Sequence, residues 1–301
     1  MLQNRWGLLA VVITIGHLQA SNALASEGSP CSLEMVVGSE ISWRGLYGRG
    51  YEASSPQTAE PAMLRVRHSG GACRYMVVVS DVVPLVGQGA TLSFDVLDAP
   101  SGRSIASSDP SGGPGQRVER LAADGESDET ISVYVTIPPS QQVRGGSYSG
   151  SALVSLYHAD GHPELVSQTP LAISVRVPPS LSVRSDLFSS SRSAFVDLGL
   201  LEDGTTTTVD FSVTANVSVS VRVESQTGGM LRHQSGLAGI SYSLRLAGTV
   251  LDLGGGQASS RLDITPGLSR DVPMLIETQP YQSAPAGRYS DTITVTFSSE
   301  G

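Results

Sequence analysis

Residues 146–150, Gly-Ser-Tyr-Ser-Gly, come closer to a catalytic motif than any other segment of this sequence. The motif G-x-S-x-G presents a serine nucleophile on a tight turn between a strand and a helix. Here the central residue is Tyr148, and no helical periodicity follows it. We therefore expect no catalytic residue. Tyr148 and Tyr289 are interpreted instead as tyrosines at the start of a strand, whose hydroxyls stabilise a corner of a sandwich.

Two histidines and a run of acidic residues have types that bind metal ions. His158 and His162 are four residues apart, but Asp160-Gly161 between them is typical of a hairpin turn rather than a helix. The acidic run at residues 124–129 lacks the glycine and the distal glutamate of a calcium-binding EF-hand loop. We expect solvated loops at both places, and no metal or other cofactor.

The first 25 residues have the pattern of a secretory signal. Arg5 precedes an apolar run at residues 7–15, and residues 23–25, Ala-Leu-Ala, form a small-residue cleavage site. Such a segment directs export and is removed from the mature protein.

Cys31 and Cys73 are the two cysteines of the chain, and no C-x-x-C pattern is present. In an exported protein two cysteines are in an oxidising compartment. We therefore expect a Cys31–Cys73 disulfide.

The charge balance of the chain bears on whether nucleic acid is a partner. The 19 basic residues are all arginine, and 28 acidic residues give a formal net charge of −9 at pH 7. An acidic chain without a basic cluster is poorly suited to nucleic acid, so no nucleic-acid partner is expected.

Alternating apolar and polar residues dominate the sequence after residue 25, with glycine, proline and serine between the alternating segments. This period of two predicts short β-strands, and a series of them is typical of an immunoglobulin-like sandwich. Pro178-Pro179 interrupts the pattern. We predict an all-β protein with two immunoglobulin-like β-sandwich domains, at residues 26–177 and 178–301.

Residues 131–156 and 272–297 are the same unit repeated without a gap, at an offset of 141 (272 minus 131). Apolar residues alternate in register in both copies, and both contain Gly-x-Tyr-Ser, at residues 146–149 and 287–290. The repeat predicts the same pair of strands in both domains.

The first copy continues through a turn at residues 158–162 into an alternating strand that ends at Val177, whereas the second ends four residues after Phe297. We expect the second domain to lack its final strand. Because open apolar edges promote aggregation, a strand from elsewhere should fill the resulting groove. The groove residues are expected to be Tyr289, Ile293, Val295 and Phe297.

Residues 286–297, Ala-Gly-Arg-Tyr-Ser-Asp-Thr-Ile-Thr-Val-Thr-Phe, resemble the C-terminal signature of the spore coat protein U domain family. Asp197-Leu198-Gly199 before a threonine-rich strand, and residues 240–244, Ile-Ser-Tyr-Ser-Leu, carry the same resemblance. It is specific over residues 195–297 and weaker over residues 31–177. Members of this family are subunits of archaic chaperone-usher pili, so the resemblance implies incomplete domains completed by a neighbour's donor strand.

The resemblance also implies the partners: a periplasmic chaperone, an outer-membrane usher and a neighbouring pilus subunit that donates the strand. It further implies secretion through the periplasm to the cell surface. Residues 26–30, which would precede Cys31 after signal cleavage, lack the apolar alternation of a donor segment. A subunit that accepts a strand and donates none is expected at the pilus tip.

Aromatic and apolar residues outside the predicted strands are candidates for contact with an unknown surface receptor. Residues 43–51 place aromatic side chains among glycine and arginine, and residues 82–86 form an apolar loop before Gly87. Such residues mark binding surfaces when exposed, or fill the core when buried. The candidates are Trp43, Tyr47, Tyr51, Val83 and Leu85.

The leading expectation is a non-enzymatic tip adhesin of an archaic chaperone-usher pilus. The alternative is a freely secreted carbohydrate-binding or coat structural protein whose groove is filled by self-association. A donor segment in the product of an adjacent gene is expected for the pilus and not for the free protein.

Overall fold

The computed structural model describes residues 30–38, 40–100, 102–106, 117–188, 193–202 and 204–300. The predicted signal at residues 1–25 lies outside these ranges. Within them, the helical segments are two short 3-10 turns, and no helix there has the length and apolar character needed to cross a membrane. The prediction of an all-β fold is confirmed.

The N-terminal half contains strands β1 (Ser32–Val37), β2 (Glu40–Trp43), β3 (Ala59–Ser69), β4 (Cys73–Gly87), β5 (Ala90–Leu92), β6 (Asp95–Leu97), β7 (Val118–Ala122), β8 (Ser127–Thr136), β9 (Gly146–His158) and β10 (Glu164–Val177). The C-terminal half contains β11 (Leu181–Arg184), β12 (Thr206–Ala215), β13 (Ser218–Ser225), β14 (Met230–His233), β15 (Gly239–Leu246), β16 (Thr249–Leu251), β17 (Gln257–Leu262), β18 (Ser269–Thr278), β19 (Tyr289–Ser290) and β20 (Ile293–Glu300). The 3-10 turns are Leu46–Gly48 and Asp186–Phe188.

Two sheets form the N-terminal half. One has the order β1-β3-β8-β6, and the other has the order β2-β10-β9-β4-β5 with β7 also paired to β4. Strand β9 lies between β4 and β10, both antiparallel to it, and β2 pairs in parallel with the other edge of β10. The inner faces pack around one apolar core, as in an immunoglobulin-like sandwich.

The C-terminal half repeats this plan. One sheet has the order β11-β12-β18-β15-β14-β19 with β16 also paired to β15, and the other has the order β17-β13-β20. This half has its own apolar core. All strand pairs of the described residues join strands of the same half. The domain boundary at residues 177 and 178 stays a prediction, with which this separation agrees.

The sequence repeat corresponds to equivalent strands. In the N-terminal half β8 pairs with β3 and β9 pairs with β4. In the C-terminal half β18 pairs with β12 and β20 pairs with β13. Strands β8 and β18, and strands β9 and β20, therefore occupy the same positions in the two halves.

Residues 82–86, expected to form a loop, belong instead to β4, which continues to Gly87. The pairing register of β4 with β9 shifts between Ser80 and Val83 and again between Val83 and Val86. These irregularities bend the strand, and the period of two that identifies a strand in a sequence is lost there. The loop prediction was therefore wrong.

Asn216, which follows β12, joins the two halves. Its side-chain amide donates to Pro178 O (2.9 Å), and its side-chain oxygen accepts from the Ser180 N–H (2.7 Å). Its backbone carbonyl accepts from the Gly145 N–H (2.9 Å), just before β9. One residue thus holds the linker and the adjoining end of the N-terminal half.

Candidate functional site

Strand β20 lies at one edge of the β17-β13-β20 sheet. It pairs with β13 from Ile293 to Glu300, and within the described chain no strand pairs with its outer edge. The equivalent strand β9 has a neighbour on each side. An unpaired edge presents backbone N–H and C=O groups that can form a ladder with another strand.

Three apolar side chains alternate along the inner face of β20: Ile293, Val295 and Phe297. All three are half-buried and pack against the core of the C-terminal half. Their counterparts in β9 are at most 1% exposed: Ala152, Val154 and Leu156. The same positions of the repeat are therefore closed in one half and partly open in the other.

Aromatic rings lie beside this partly open edge. Phe297 packs against Phe211 of β12, with ring centroids 5.2 Å apart, and Phe211 stacks on Phe188 at 6.1 Å. Leu181 and Val183 of β11, at the edge of the facing sheet, are also partly buried against the same core. These side chains form the apolar floor and one wall next to β20.

Residues 193–202 lie between β11 and β12 in the chain, as β2 lies between β1 and β3. Val196, Leu198 and Leu201 of this segment pack against the C-terminal core. The Tyr281 hydroxyl donates to Leu201 O (2.6 Å) and holds the end of the segment. Val196 and Leu198 alternate in the sequence, which was a signal for this packing that sequence reasoning missed. We call the surface formed by β20, β11 and Phe188 the open groove.

Tyr289 lies at the corner before the open groove. Its hydroxyl donates to Pro285 O (2.8 Å), and its ring meets the His233 ring edge-on at 5.0 Å. Tyr148 makes the equivalent hydrogen bond to Arg144 O (2.7 Å). The predicted corner-stabilising interactions are thus present in both halves. Tyr289 supports the start of the groove, whereas Ile293, Val295 and Phe297 line it.

Asp291, between β19 and β20, is the centre of a polar network that sequence reasoning missed. Its carboxylate accepts from the hydroxyls of Tyr242 and Ser225, both at 2.6 Å. It also accepts from the backbone N–H groups of Thr227 (3.2 Å) and Thr292 (2.7 Å). Burial raises the pKa of the Tyr242 hydroxyl, and the hydrogen bond to Asp291 raises it further. This network fixes the two residues that precede β20, Asp291 and Thr292.

The candidate surface-binding residues divide into two groups. Trp43, Tyr51 and Leu85 are 5%, 3% and 0% exposed, so they belong to the core. The expectation of surface contact is corrected for these three, because a partner could not reach them in the folded chain. Tyr47 is 85% exposed and Val83 is 50% exposed. Tyr47 also has a φ of 56°, which is uncommon for a residue other than glycine and costs conformational energy.

The segment that carries Tyr47 lies at the end of the N-terminal half next to the linker. The Tyr51 N–H donates to Arg176 O (2.8 Å), near the end of β10. The opposite, free end contains the turns at residues 70–72, 123–126 and 159–163. Gly125 N–H donates to Gly70 O (2.8 Å) there.

Cys31 and Cys73 form the predicted disulfide, with Cα atoms 6.1 Å apart. The bond joins the start of β1 to the start of β4. Residues of the acidic run support the same region: Asp124 accepts from the Ala72 N–H (2.7 Å), and Asp128 pairs with Arg65 (2.7 Å). Glu129 accepts from the Tyr75 hydroxyl (2.5 Å). Burial is the main cause that raises the pKa of the Tyr75 hydroxyl, and the hydrogen bond to Glu129 raises it further.

Comparison with solved structures found chains from tip adhesins of chaperone-usher pili. A chain of the CsuC-CsuE complex of chaperone and tip subunit, from the archaic chaperone-usher Csu pili of Acinetobacter baumannii, is 16% identical. The match covers 88% of this chain and 99% of that chain, with a TM-score of 0.39. CfaE, the adhesive subunit of the CFA/I fimbria of enterotoxigenic Escherichia coli, is 13% identical over 91% of this chain and 88% of that chain, with a TM-score of 0.40.

No family model and no curated protein matches the chain. The resemblance to the spore coat protein U domain family therefore stays a prediction from the residues that carry it.

Proposed function

We propose that this chain is a non-enzymatic tip adhesin of an archaic chaperone-usher pilus. Its C-terminal half accepts a donor strand from a neighbouring subunit along the outer edge of β20. Its N-terminal half contacts the surface to which the pilus attaches. The observation that carries this proposal is the contrast between β9, which is paired on both sides, and β20, whose outer edge is unpaired in the described chain.

Strand β10 indicates what a donor strand would contribute. Four of its side chains are at most 4% exposed: Leu171, Ile173, Val175 and Val177. Burying an aliphatic side chain stabilises a fold by roughly 1.5 to 3 kcal/mol. Four such side chains in the open groove would contribute about 6–12 kcal/mol before the cost of ordering the donor. A noncovalent joint of this size is durable enough for a fibre.

The partners follow from the same edge. Before assembly the open groove needs a cover, because an unpaired apolar edge aggregates. A periplasmic chaperone would supply a temporary strand, an outer-membrane usher would exchange it, and a neighbouring subunit would supply the final one. The protein would then travel through the periplasm to the cell surface.

The proposal can be tested by giving the full chain its own surrogate donor. A copy of residues 161–177, which contain β10, is appended after Gly301 and begins at position 302. The copy is then 141 positions after the original, the same offset as in the repeat. Gly301 then stands where Asp160 stands in the N-terminal hairpin. The surrogate would make complementation intramolecular, at an effective concentration on the order of millimolar. We expect the extended chain to be monomeric without a chaperone and its C-terminal half to unfold cooperatively at a higher temperature than in the unextended chain.

A matched control carries the same extension with Asp in place of the two apolar residues copied from Leu171 and Ile173. This version keeps the length and the turn but cannot bury its strand, so it should behave like the unextended chain. If the unextended chain is already monomeric, and both extensions leave its thermal transition unchanged, its sandwich is closed and the donor-strand proposal fails. The location of the protein distinguishes the pilus adhesin from the alternative function. A freely secreted protein would be found in the medium, whereas a pilus adhesin would be found on fibres.

A further inference from the structure

Cys31, Cys73 and His158 converge at the free end of the N-terminal half. Cys31 Sγ and His158 Nδ1 are 3.9 Å apart, and the ligand atoms of all three residues lie within 4.8 Å of one another. Cys73 is buried, and Cys31 and His158 are half-buried. Two cysteine sulfur atoms and an imidazole nitrogen at a partly buried position are a typical set of ligand atoms for a soft or borderline metal ion.

The fold holds His158 in this position. His158 is the last residue of β9, and the next residue, Ala159, donates its N–H to Arg74 O (2.9 Å). Asp160 accepts from the Arg74 N–H (3.0 Å). The turn after His158 is therefore fixed against the residue that follows Cys73, and the imidazole is placed beside the sulfur atoms by backbone contacts. His162, four residues further on, lies exposed in the same turn.

The spacing of Cys31 Sγ and His158 Nδ1 is close to that of two ligands of a tetrahedral ion. Zinc binds thiolate sulfur at about 2.3 Å and imidazole nitrogen at about 2.0–2.1 Å, which puts neighbouring ligand atoms about 3.3–3.8 Å apart. The distance between Cys31 Sγ and His158 Nδ1 is close to that range. The sulfur atoms are bonded to each other in the disulfide, so they become ligands only after that bond is broken.

We propose that the reduced chain binds one zinc ion through the thiolates of Cys31 and Cys73 and through Nδ1 of His158, with water as the fourth ligand. A dithiol or phosphine reductant supplies two electrons, and the two sulfur atoms take up two protons. Zinc binding then releases these two protons as both thiols become thiolates. The metal and the disulfide exclude one another, so the site is available before the disulfide forms or after it is reduced. This inference is independent of the proposed pilus function.

Cobalt(II) is a suitable probe, because it occupies zinc sites and gives a thiolate-to-metal charge-transfer band in the near ultraviolet. The full chain, reduced with a phosphine, is titrated with Co²⁺ and then with Zn²⁺. We expect one Co²⁺ per chain, displacement of the band by zinc, and no band in the oxidised chain. A reduced chain without the charge-transfer band would overturn the proposal.

The matched pair His158→Ala and His162→Ala separates a folded site from nonspecific chelation. We expect His158→Ala to weaken cobalt binding by about tenfold or more, as loss of one of three protein ligands requires. His162→Ala should bind like the unchanged chain, and Cys31→Ser should lose most of the charge-transfer band. Equal binding by the two histidine variants would refute the site, since an unfolded chain would use either histidine. Far-ultraviolet circular dichroism of the reduced variants checks that all of them remain folded.

Discussion

Tyr148 and Tyr289, 141 residues apart in the chain, make the same hydrogen bond. Each hydroxyl donates to the carbonyl oxygen four residues upstream, Arg144 O at 2.7 Å and Pro285 O at 2.8 Å. Each tyrosine also follows a glycine with a positive φ by two positions, Gly146 at 144° and Gly287 at 153°. The corner that begins the last repeated strand is therefore built in the same way in both halves.

Replacing each corner tyrosine by phenylalanine tests this equivalence. Tyr148→Phe should lower the free energy of unfolding of the N-terminal half by about 0.5–1.5 kcal/mol, because the buried Tyr148 side chain loses its hydrogen bond to Arg144 O. Tyr289→Phe should lower the free energy of unfolding of the C-terminal half by a smaller amount, since Tyr289 is only half-buried. Calorimetry of the full chain measures both transitions. Tyr47→Phe, at an exposed position, is the control and should leave both unchanged.

Asp291→Ala should destabilise the C-terminal half. The change leaves the hydroxyls of Tyr242 and Ser225 without their acceptor, at a cost of about 1–3 kcal/mol for each buried group that stays unpaired. It also frees the residue that precedes β20, so binding of a donor strand should weaken. Asp271→Ala, an exposed position on β18, is the matched control. Similar urea midpoints for the two variants would contradict the role assigned to Asp291.

Two of the buried tyrosines, Tyr75 and Tyr242, predict a loss of stability in alkali. The pKa values of Tyr75 and Tyr242 are raised in the folded chain, by burial first and by hydrogen bonds to Glu129 and Asp291 second. The unfolded chain therefore loses these protons first, near pH 10, while the folded chain keeps them. The free energy of unfolding should be unaffected by these groups below pH 10 and should fall as the pH rises above it.

Urea unfolding between pH 8 and pH 11 measures this slope. The double variant Tyr75→Phe and Tyr242→Phe should have a shallower slope above pH 10 than the unchanged chain. A slope of the same size in both proteins would show that other groups cause the loss.

Asn216→Ala should loosen the connection between the halves. The variant loses the side-chain hydrogen bonds to Pro178 O and the Ser180 N–H, while the backbone bond to Gly145 can persist. We expect faster cleavage of the linker by proteases and a wider distribution of shapes in small-angle scattering, with each half folded. Linker cleavage at the rate of the unchanged chain would mean that other contacts hold the two halves.

Tyr47→Ser combined with Val83→Ser should weaken surface attachment while leaving assembly intact, because both side chains are exposed and neither belongs to the core of the fold. Attachment of cells carrying the pilus is compared with the amount of pilus protein on their surface. Leu237→Ser, which removes a side chain that is 92% exposed in the C-terminal half, controls for the general loss of surface apolarity. Unchanged attachment by the double variant would show that Tyr47 and Val83 are not part of the attachment site. The turns at the free end would then be the next candidates for that site.

The sequence did not reveal all of the short strands. Strands β2, β14 and β17 contain four, four and six residues. So few positions give little alternation to recognise. Pairing with longer neighbours decides that they are strands. The same holds for Val83 and Leu85, since irregular pairing of β4 with β9 hides their strand from the period of two.

The amino-acid sequence by itself determined the all-β fold class, the repeat, the disulfide partners and the two corner tyrosines. These depend on local periodicity, on the number of cysteines and on equal spacing, all of which are properties of a linear chain. The tertiary structure alone decided that Trp43 and Tyr51 face the core while Tyr47 faces solvent, and that His158 lies beside the disulfide rather than in a pair with His162. It also packed Val196, Leu198 and Leu201 against the C-terminal core. Burial and proximity depend on contacts between residues far apart in the sequence, and such contacts exist only once the sheets pack against each other.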